Sequence, residues 1–347
     1  GFRKIIDATA IFLNARTVED LTAGVIDRIG SIVAEDDRLL VTAEGFGVST
    51  GGAEYRIIAG TGRFRGFAGQ SLSNLADESA RALVQECLQN HLPVFRHDRF
   101  AAWLPSRSNG GTVLYVEIPD PNAAGRREIL EVYSSTVGLA LDNLSLARRM
   151  DHAQRETIYL LGEIVERRNE STGNHCRRVG RMVRTIASVV GVEEPVREVW
   201  QLGSSLHDIG KIVVPDAILN KPGKLTAEEY SAMKVHTTVG HEFLSKYPDE
   251  LMQAAAVIAR GHHEKFGGGG YPDGLSGEAI PLSARITAIA DVFDALTHSR
   301  SYKNAWPLEQ ARDYVAERSG TDFDPELVGV FLDSYAEVES IHREMPD

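Results

Sequence analysis

Histidines and aspartates far apart in the sequence most constrain the fold of this chain. Six of its 11 histidines lie between positions 175 and 263, most of them beside a carboxylate or a glycine. Imidazole and carboxylate together suit divalent iron, manganese or zinc, and a cation with an open coordination position activates water near neutral pH. Because these residues are widely spaced, several helices have to bring them together. The second half of the chain is therefore predicted to fold around a metal site.

Seven residues form the candidate metal-binding set. His207 and Asp208 are adjacent, and an aspartate with two oxygens can bridge two cations about 3.5–4 Å apart. Asp291 lies in an otherwise apolar helical segment, where an unpaired carboxylate is costly and a cation would remove that cost. A single histidine is more often a core or surface residue than a ligand, but the whole set favours metal binding. The set comprises His175, His207, Asp208, His236, His262, His263 and Asp291.

Composition sets limits on partners and location. The 347 residues suffice for two domains, and the net charge of −12 argues against a nucleic-acid polymer as partner. Only two cysteines occur and no apolar run approaches the roughly 20 residues of a membrane helix, so a cytoplasmic protein without membrane contact is expected. The chain opens on Gly1 without an initiator methionine, so we expect a piece of a longer protein.

The first 150 residues alternate between helical and strand-like patterns. Apolar spacing predicts helix over 2–34 and again over 78–89, with glycine-rich turns around positions 45–62. Strand-like runs are predicted at 39–43, 55–58, 93–104 and 112–118. This order of elements is typical of a small α+β sensor-type domain.

A helical pattern over about 126–170 has no internal proline and would extend beyond either domain's core. We interpret it as a long helix that links the two domains, and parallel pairing of this helix predicts a homodimer. Two ordinary helices joined near Asp151 are the alternative. From position 171 onward the sequence is predicted to be almost entirely helical.

Residues 160–335 resemble an HD-GYP domain, the bacterial branch of the HD phosphohydrolases that cleaves cyclic di-GMP. The matching segments occur in family order and are Thr172–His175, Leu206–Lys211, Lys221–Thr226, Met233–His236, His262–Glu264, Gly268–Pro272, Arg285–Asp291, Asp294–Thr297, Arg300–Lys303 and Phe323–Pro325. The resemblance implies an all-α metal-dependent phosphodiesterase domain over 151–347 that hydrolyses cyclic di-GMP to linear pGpG or on to GMP.

Residue roles follow from the resemblance. The seven candidates would hold two divalent ions, iron or manganese with zinc and nickel as alternatives, and Asp208 would bridge them. Lys211, catalytic together with Asp208, would sit beside the scissile phosphate, since its place four residues after His207 points it along the same helix face. Substrate contacts are expected from Lys211, Gly270, Tyr271, Pro272, Arg300 and Lys303.

Two positions depart from the family pattern. Family members with a third metal carry a glutamate four residues before the first histidine, where this chain has Ser171, with Glu170 adjacent. We therefore expect two metals and either slower hydrolysis or a reaction that stops at pGpG. Gly267 stands where the family often has Asp or Asn. A cyclic dinucleotide receptor with little hydrolysis, a module that docks diguanylate cyclases, and a cyclic GMP-AMP substrate remain alternatives.

Residues 1–150 resemble the GAF-like domain that lies between a receiver domain and HD-GYP in some two-component response regulators. The position upstream and the order of elements carry this resemblance. It implies a GAF-like domain for ligand sensing or dimerisation, joined by the long helix to the catalytic domain. A receiver domain would then precede it in the full-length protein.

Overall fold

The computed structural model describes residues 17–33, 43–50, 54–106, 110–119, 121, 125–168, 174–298 and 305–346. The chain divides into two compact units, Gly1–His152 and Ala153–Asp347. In the described part of the chain, no helix has both the length and the apolar character that crossing a bilayer requires.

The first unit contains a five-stranded antiparallel sheet with the order β2-β1-β5-β4-β3. The strands are β1 Glu44–Ser49, β2 Arg56–Gly60, β3 Val94–Phe95, β4 Arg99–Pro105 and β5 Gly111–Glu117. Helices α1 (Val18–Val33) and α2 (Glu78–Asn90) accompany it, and α3 (Arg126–Arg167) begins after β5.

Side chains alternate between the two faces of this sheet, because successive residues of a strand point in opposite directions. On β5, Leu114 and Val116 pack with α1 and the first part of α3. Val113 and Tyr115 pack on the opposite face with α2. Both faces of the sheet are therefore covered, which explains the buried apolar residues at consecutive strand positions.

The first strand differs from the prediction. Most of the predicted run 39–43 lies outside the described residues, and the first described strand, β1, covers a segment interpreted as a glycine-rich turn. Gly45 is required there because a Cβ atom would lie 2.1 Å from the Tyr115 backbone oxygen of the neighbouring strand. The glycines in this segment therefore indicate close strand packing. The run 93–104 forms two strands, β3 and β4, that pair with each other.

The second unit is helical. After α3, whose course includes the boundary between the units, the helices are α4 His175–Val189, α5 Glu194–Ser204, α6 Asp216–Leu219, α7 Ala227–Leu244, α8 Glu250–Gly261, α9 Leu282–Thr297, α10 Leu308–Glu317, α11 Pro325–Asp333 and α12 Tyr335–Glu344. The predicted α+β first half and helical second half are confirmed. Helices α4 and α9 pack together in the main apolar core, which places the start of α4 beside the middle of α9.

Candidate metal centre

The seven candidate ligands come from five separate segments of the second unit. His175 begins α4, His207 and Asp208 follow α5, and His236 lies within α7. His262 and His263 follow α8, and Asp291 lies on α9. The structure brings all seven together in two groups, each with ligand atoms within 4.8 Å of one another: Asp208, His236, His262 and His263 form one, and His175, His207 and Asp291 form the other.

Asp208 lies between the two groups. Its Oδ1 is 3.2 Å from His236 Nε2 and 3.6 Å from His262 Nε2. Its Oδ2 faces the other group, 3.2 Å from His207 Nε2. Each carboxylate oxygen is thus directed toward a different set of imidazoles, the arrangement that a carboxylate bridging two cations needs.

Local backbone contacts orient three of the histidines. The Nδ1 atoms of His207, His236 and His262 lie 2.7, 2.7 and 3.0 Å from the carbonyl oxygens of Ser204, Met233 and Ala259. Each of these carbonyls belongs to the residue three positions earlier, so the helical turn before each histidine supplies the acceptor. A carbonyl accepts only from an N–H, so Nδ1 carries the proton and Nε2 keeps its lone pair for a cation.

Several of the candidate ligand atoms are buried without a hydrogen-bond partner among the described residues. The buried Nε2 atoms of His175, His207, His236 and His262, and Oδ1 of Asp208, have no hydrogen-bond partner among the described residues. Leaving a buried polar atom unsatisfied costs about 1–3 kcal/mol, so five of them converging on one place would be expensive without a ligand. The donor set of imidazole nitrogens and carboxylate oxygens fits divalent cations.

The two groups differ in their affinity for protons. Burial alone would lower the pKa of His207, but the charges of Asp208 and Asp291 raise it to about 9. Burial lowers the pKa of His236 to about 4. Burial and neighbouring His262 also hold the pKa of His263 well below its usual range. In the absence of cations, His207 therefore favours its protonated form at neutral pH, whereas His236 and His263 favour the neutral form.

Lys211 is buried beside Asp208. Its Nζ donates to Glu166 Oε1 at 3.1 Å and also contacts Asp208 Oδ2. Residues 209–213 form a short 3-10 helix, so the predicted continuous helix face through His207 is wrong. Lys211 reaches the centre because it lies three residues after Asp208. Glu166 was not predicted as a site residue, and its signal was a carboxylate directly after the apolar residues 164–165 of α3.

Asp294 and Arg178, which were also not predicted as site residues, support His175. Asp294 Oδ2 is 2.8 Å from His175 Nδ1, and Asp294 also accepts hydrogen bonds from Arg178 Nε at 2.7 Å and Nη2 at 3.0 Å. The side chains of Arg178 and Asp294 are 0% and 2% exposed. The available signal was a carboxylate three residues after Asp291 on the same helix, which places both aspartates on one face.

The loop after the two adjacent histidines is held against them. The Tyr271 ring centroid lies 4.8 Å from that of His263. A Cβ atom on Gly270 would lie 2.4 Å from the Lys265 nitrogen, so only glycine fits there. Glu264 Oε1 accepts hydrogen bonds from the backbone nitrogens of Asp273 and Gly274, at 2.7 and 3.0 Å. The loop that carries Gly270, Tyr271 and Pro272 is therefore positioned by Glu264.

Four positions of the sequence analysis lie outside the described residues, namely Glu170, Ser171, Arg300 and Lys303. His241 was left out of the predicted set because it is five residues from His236. Its Nδ1 lies 3.1 Å from the carbonyl oxygen of Ala256 on α8, and it belongs to neither group.

Comparison with known proteins gives one family match for each half of the chain. Residues 159–327 match the family described as HD domain, and residues 1–150 match a domain of unknown function, DUF3369. The GAF-like identity of the first half therefore remains a prediction.

Several bacterial phosphodiesterases are similar to more than half of this chain. A 3'3'-cGAMP-specific phosphodiesterase of Vibrio cholerae is 41% identical over 68% of this chain and 45% of its own length. A cyclic di-GMP phosphodiesterase response regulator of Xanthomonas campestris is 39% identical over 62% of this chain and 57% of its own length. A cyclic di-GMP phosphodiesterase of Thermotoga maritima is 42% identical over 55% and 52%. The chain spans about half the length of these curated relatives.

Proposed function

We propose that the second unit is a metal-dependent phosphodiesterase that hydrolyses cyclic di-GMP to linear pGpG. The observation that carries the proposal is the pair of histidine–aspartate groups that share Asp208. Two divalent cations bound there would lower the pKa of water and offset phosphate charge. The names of the related phosphodiesterases, and the HD-domain match over the residues that contain both groups, support the same chemistry.

The residues of the chain have separate tasks in this reaction. His175, His207 and Asp291 would hold one cation, His236, His262 and His263 would hold the other, and Asp208 would serve both. Lys211 carries a positive charge at the edge of the centre, where an ammonium group stabilises charge that develops on a phosphate oxygen. Its contact with Glu166 fixes the ammonium group beside Asp208.

The cations are proposed to be iron or manganese. Imidazole suits several transition metals, whereas thiolates would favour zinc or cuprous copper. Both cysteines lie outside the two groups. Zinc and nickel are the alternatives that metal analysis of the purified protein distinguishes.

The test is anaerobic reconstitution with ferrous iron or manganese, followed by incubation with cyclic di-GMP and chromatography of the products. We expect two metals per chain and pGpG as product. The substitution His207→Ala should abolish the product and lower the metal content. His241→Gln is the matched control, because His241 lies on α7 with His236 but outside both groups. Binding of cyclic di-GMP without product would favour the receptor alternative. Rapid conversion to GMP would indicate a third metal.

The first unit is proposed to be a GAF-like sensor or dimerisation domain of a two-component response regulator, with a receiver domain in the full-length protein. Its sheet with helices on both faces supports a sensor-type fold. Exposed Val132, Leu139 and Leu146 recur every seven residues on α3, which supports a homodimer formed through this helix. Light scattering on wild type and on Leu139→Glu would distinguish a dimer from a monomer. A diguanylate cyclase remains the alternative partner.

A further inference from the structure

A cluster of one cation and two aromatic rings lies next to the His236–His263 group. Lys234 Nζ is 4.9 Å from the ring centroid of Tyr230, one helical turn earlier on α7, and 5.5 Å from that of Tyr271. The two tyrosine rings are 6.1 Å apart and nearly perpendicular, at 79°. Both distances from the lysine lie within the range of cation–π attraction.

The cluster is directly connected to the metal centre. Tyr271 contacts His263, with ring centroids 4.8 Å apart, and its centroid is 6.4 Å from that of His236. Tyr230 extends the aromatic surface away from the centre, and the residue is 47% exposed. A ligand with its phosphate at the centre therefore meets Tyr271 first and Tyr230 and Lys234 next.

The chemistry of the cluster matches a planar ring rich in hydrogen-bond acceptors. Among the described residues, the ammonium group of Lys234 lies over the two rings, and no carboxylate forms an ion pair with it. Its ammonium group keeps N–H donors available for a ligand. An exposed tyrosine face stacks on any nucleobase, with about 1–3 kcal/mol per stacked base.

We propose that Tyr230 and Lys234 form a guanine-binding subsite for one base of the cyclic dinucleotide. Guanine presents two acceptors, O6 and N7, along one edge, and lysine is a common partner of that edge. Adenine replaces O6 with an amino group, which is a donor and therefore opposes an ammonium group. This assignment rests on the proposed function and adds the base preference of the same site.

The experiment compares cyclic di-GMP with cyclic di-AMP, using calorimetry for the Kd and steady-state assays for KM and kcat. Lys234→Met keeps the aliphatic stem and removes the charge and the donors. We expect it to weaken cyclic di-GMP binding about tenfold and to leave cyclic di-AMP unchanged. Tyr230→Ala is expected to weaken both ligands about tenfold, because stacking does not distinguish the bases. Neither change should alter kcat.

Two control variants match these substitutions. Lys246 also lies over an aromatic ring, with Nζ 5.7 Å from the Phe243 centroid, and Tyr247 is 60% exposed. Lys246 and Tyr247 come just after the last residue of α7, Leu244, whereas Tyr230 lies near its start. The variants Lys246→Met and Tyr247→Ala should therefore bind both ligands like the wild type.

The outcomes separate this inference from the proposed function. Equal weakening of both ligands by Lys234→Met would show a general charge effect and overturn the guanine subsite, as would no weakening at all. Failure of the wild-type protein to bind either ligand would also overturn it. Guanine-selective binding without hydrolysis would support the subsite and contradict the phosphodiesterase.

Discussion

Asp294 links the metal centre to the stability of the second unit, and Asp294→Asn tests that link. The carboxylate receives hydrogen bonds from His175 Nδ1 at 2.8 Å and from Arg178 Nε and Nη2 at 2.7 and 3.0 Å. An asparagine keeps the shape but offers one acceptor oxygen and turns an NH₂ group toward existing donors. Arg178, with its side chain 0% exposed, would then lose the carboxylate that accepts two of its hydrogen bonds.

Two magnitudes follow. Breaking a buried ion pair by removing one partner costs about 3–5 kcal/mol, so the free energy of unfolding should fall by about that amount. Loss of the group that orients a metal-ligating histidine typically lowers metal affinity about 10–100-fold. We expect metal affinity to fall at the His175–His207–Asp291 group, while the group around His236 retains its cation.

The pH dependence has a definite sign. Burial alone would raise the pKa of Asp294, but the hydrogen bonds from His175 and Arg178 hold it well below its usual range. A carboxyl whose pKa is lowered by folding stabilises the protein above its unfolded value of about 3.9, and the contribution is lost as the pH falls through the folded value. The difference between wild type and Asp294→Asn should therefore be full at pH 7 and shrink in acid.

The assays are urea unfolding at pH 7 and in acid, and metal analysis of protein equilibrated with limiting manganese. Asp313→Asn is the control, because Asp313 pairs with Arg312 at the surface, with side chains 60% and 36% exposed. It should change the free energy of unfolding by less than about 1 kcal/mol. If Asp294→Asn unfolds within that same margin of wild type and binds two metals with unchanged affinity, the assigned role of Asp294 is wrong.

Three further predictions concern single side chains. Lys211→Met should lower kcat by about 100-fold or more while both metals stay bound. Steady-state kinetics and metal analysis measure the two effects. A wild-type rate would show that Lys211 has no part in the mechanism. Gly210→Ala should destabilise the second unit by about 1–3 kcal/mol or more, because the added Cβ would lie 1.9 Å from the His236 carbonyl oxygen. Gly329→Ala on α11 is the control, since its Cβ would meet open space and the change should stabilise the helix slightly. Equal melting temperatures of the two variants would contradict this packing. Burial raises the pKa of Cys87 to about 12 and that of Cys176 well above its usual range. A thiol reagent at pH 8 should therefore label neither cysteine until the protein is denatured. Rapid labelling of the native protein would contradict their burial.

The sequence predicted most of the secondary structure because the signals are local. The second unit was predicted only as almost entirely helical, without the bounds of its helices, and strand-like runs located β2 to β5. Strand β1 was missed because its two glycines are typical of turns. Only the sheet shows why glycine is needed there, since a Cβ on Gly45 would meet the Tyr115 backbone oxygen of the adjacent strand.

The candidate metal centre could be proposed from residue chemistry and the family resemblance. Its inner arrangement could not, because it depends on distances between segments that are far apart in the sequence. Asp208 Oδ1 and Oδ2 face different histidines, and Lys211 meets Glu166 from a position 45 residues away. The i+4 argument for Lys211 also depended on a helix that the structure replaces with a 3-10 turn.

The sequence by itself determined which residue types are available and how each short segment folds. It placed the carbonyl three residues before His207, His236 and His262 within reach of each ring, because that contact forms within one helical turn. Tertiary packing decided the rest: the division of seven residues into two groups, the Asp294–Arg178 support of His175 and the Lys234–Tyr271 contact. The contacts of Asp294 and Lys234 join residues that lie 37 to 119 positions apart, and such contacts form only when distant segments pack side by side.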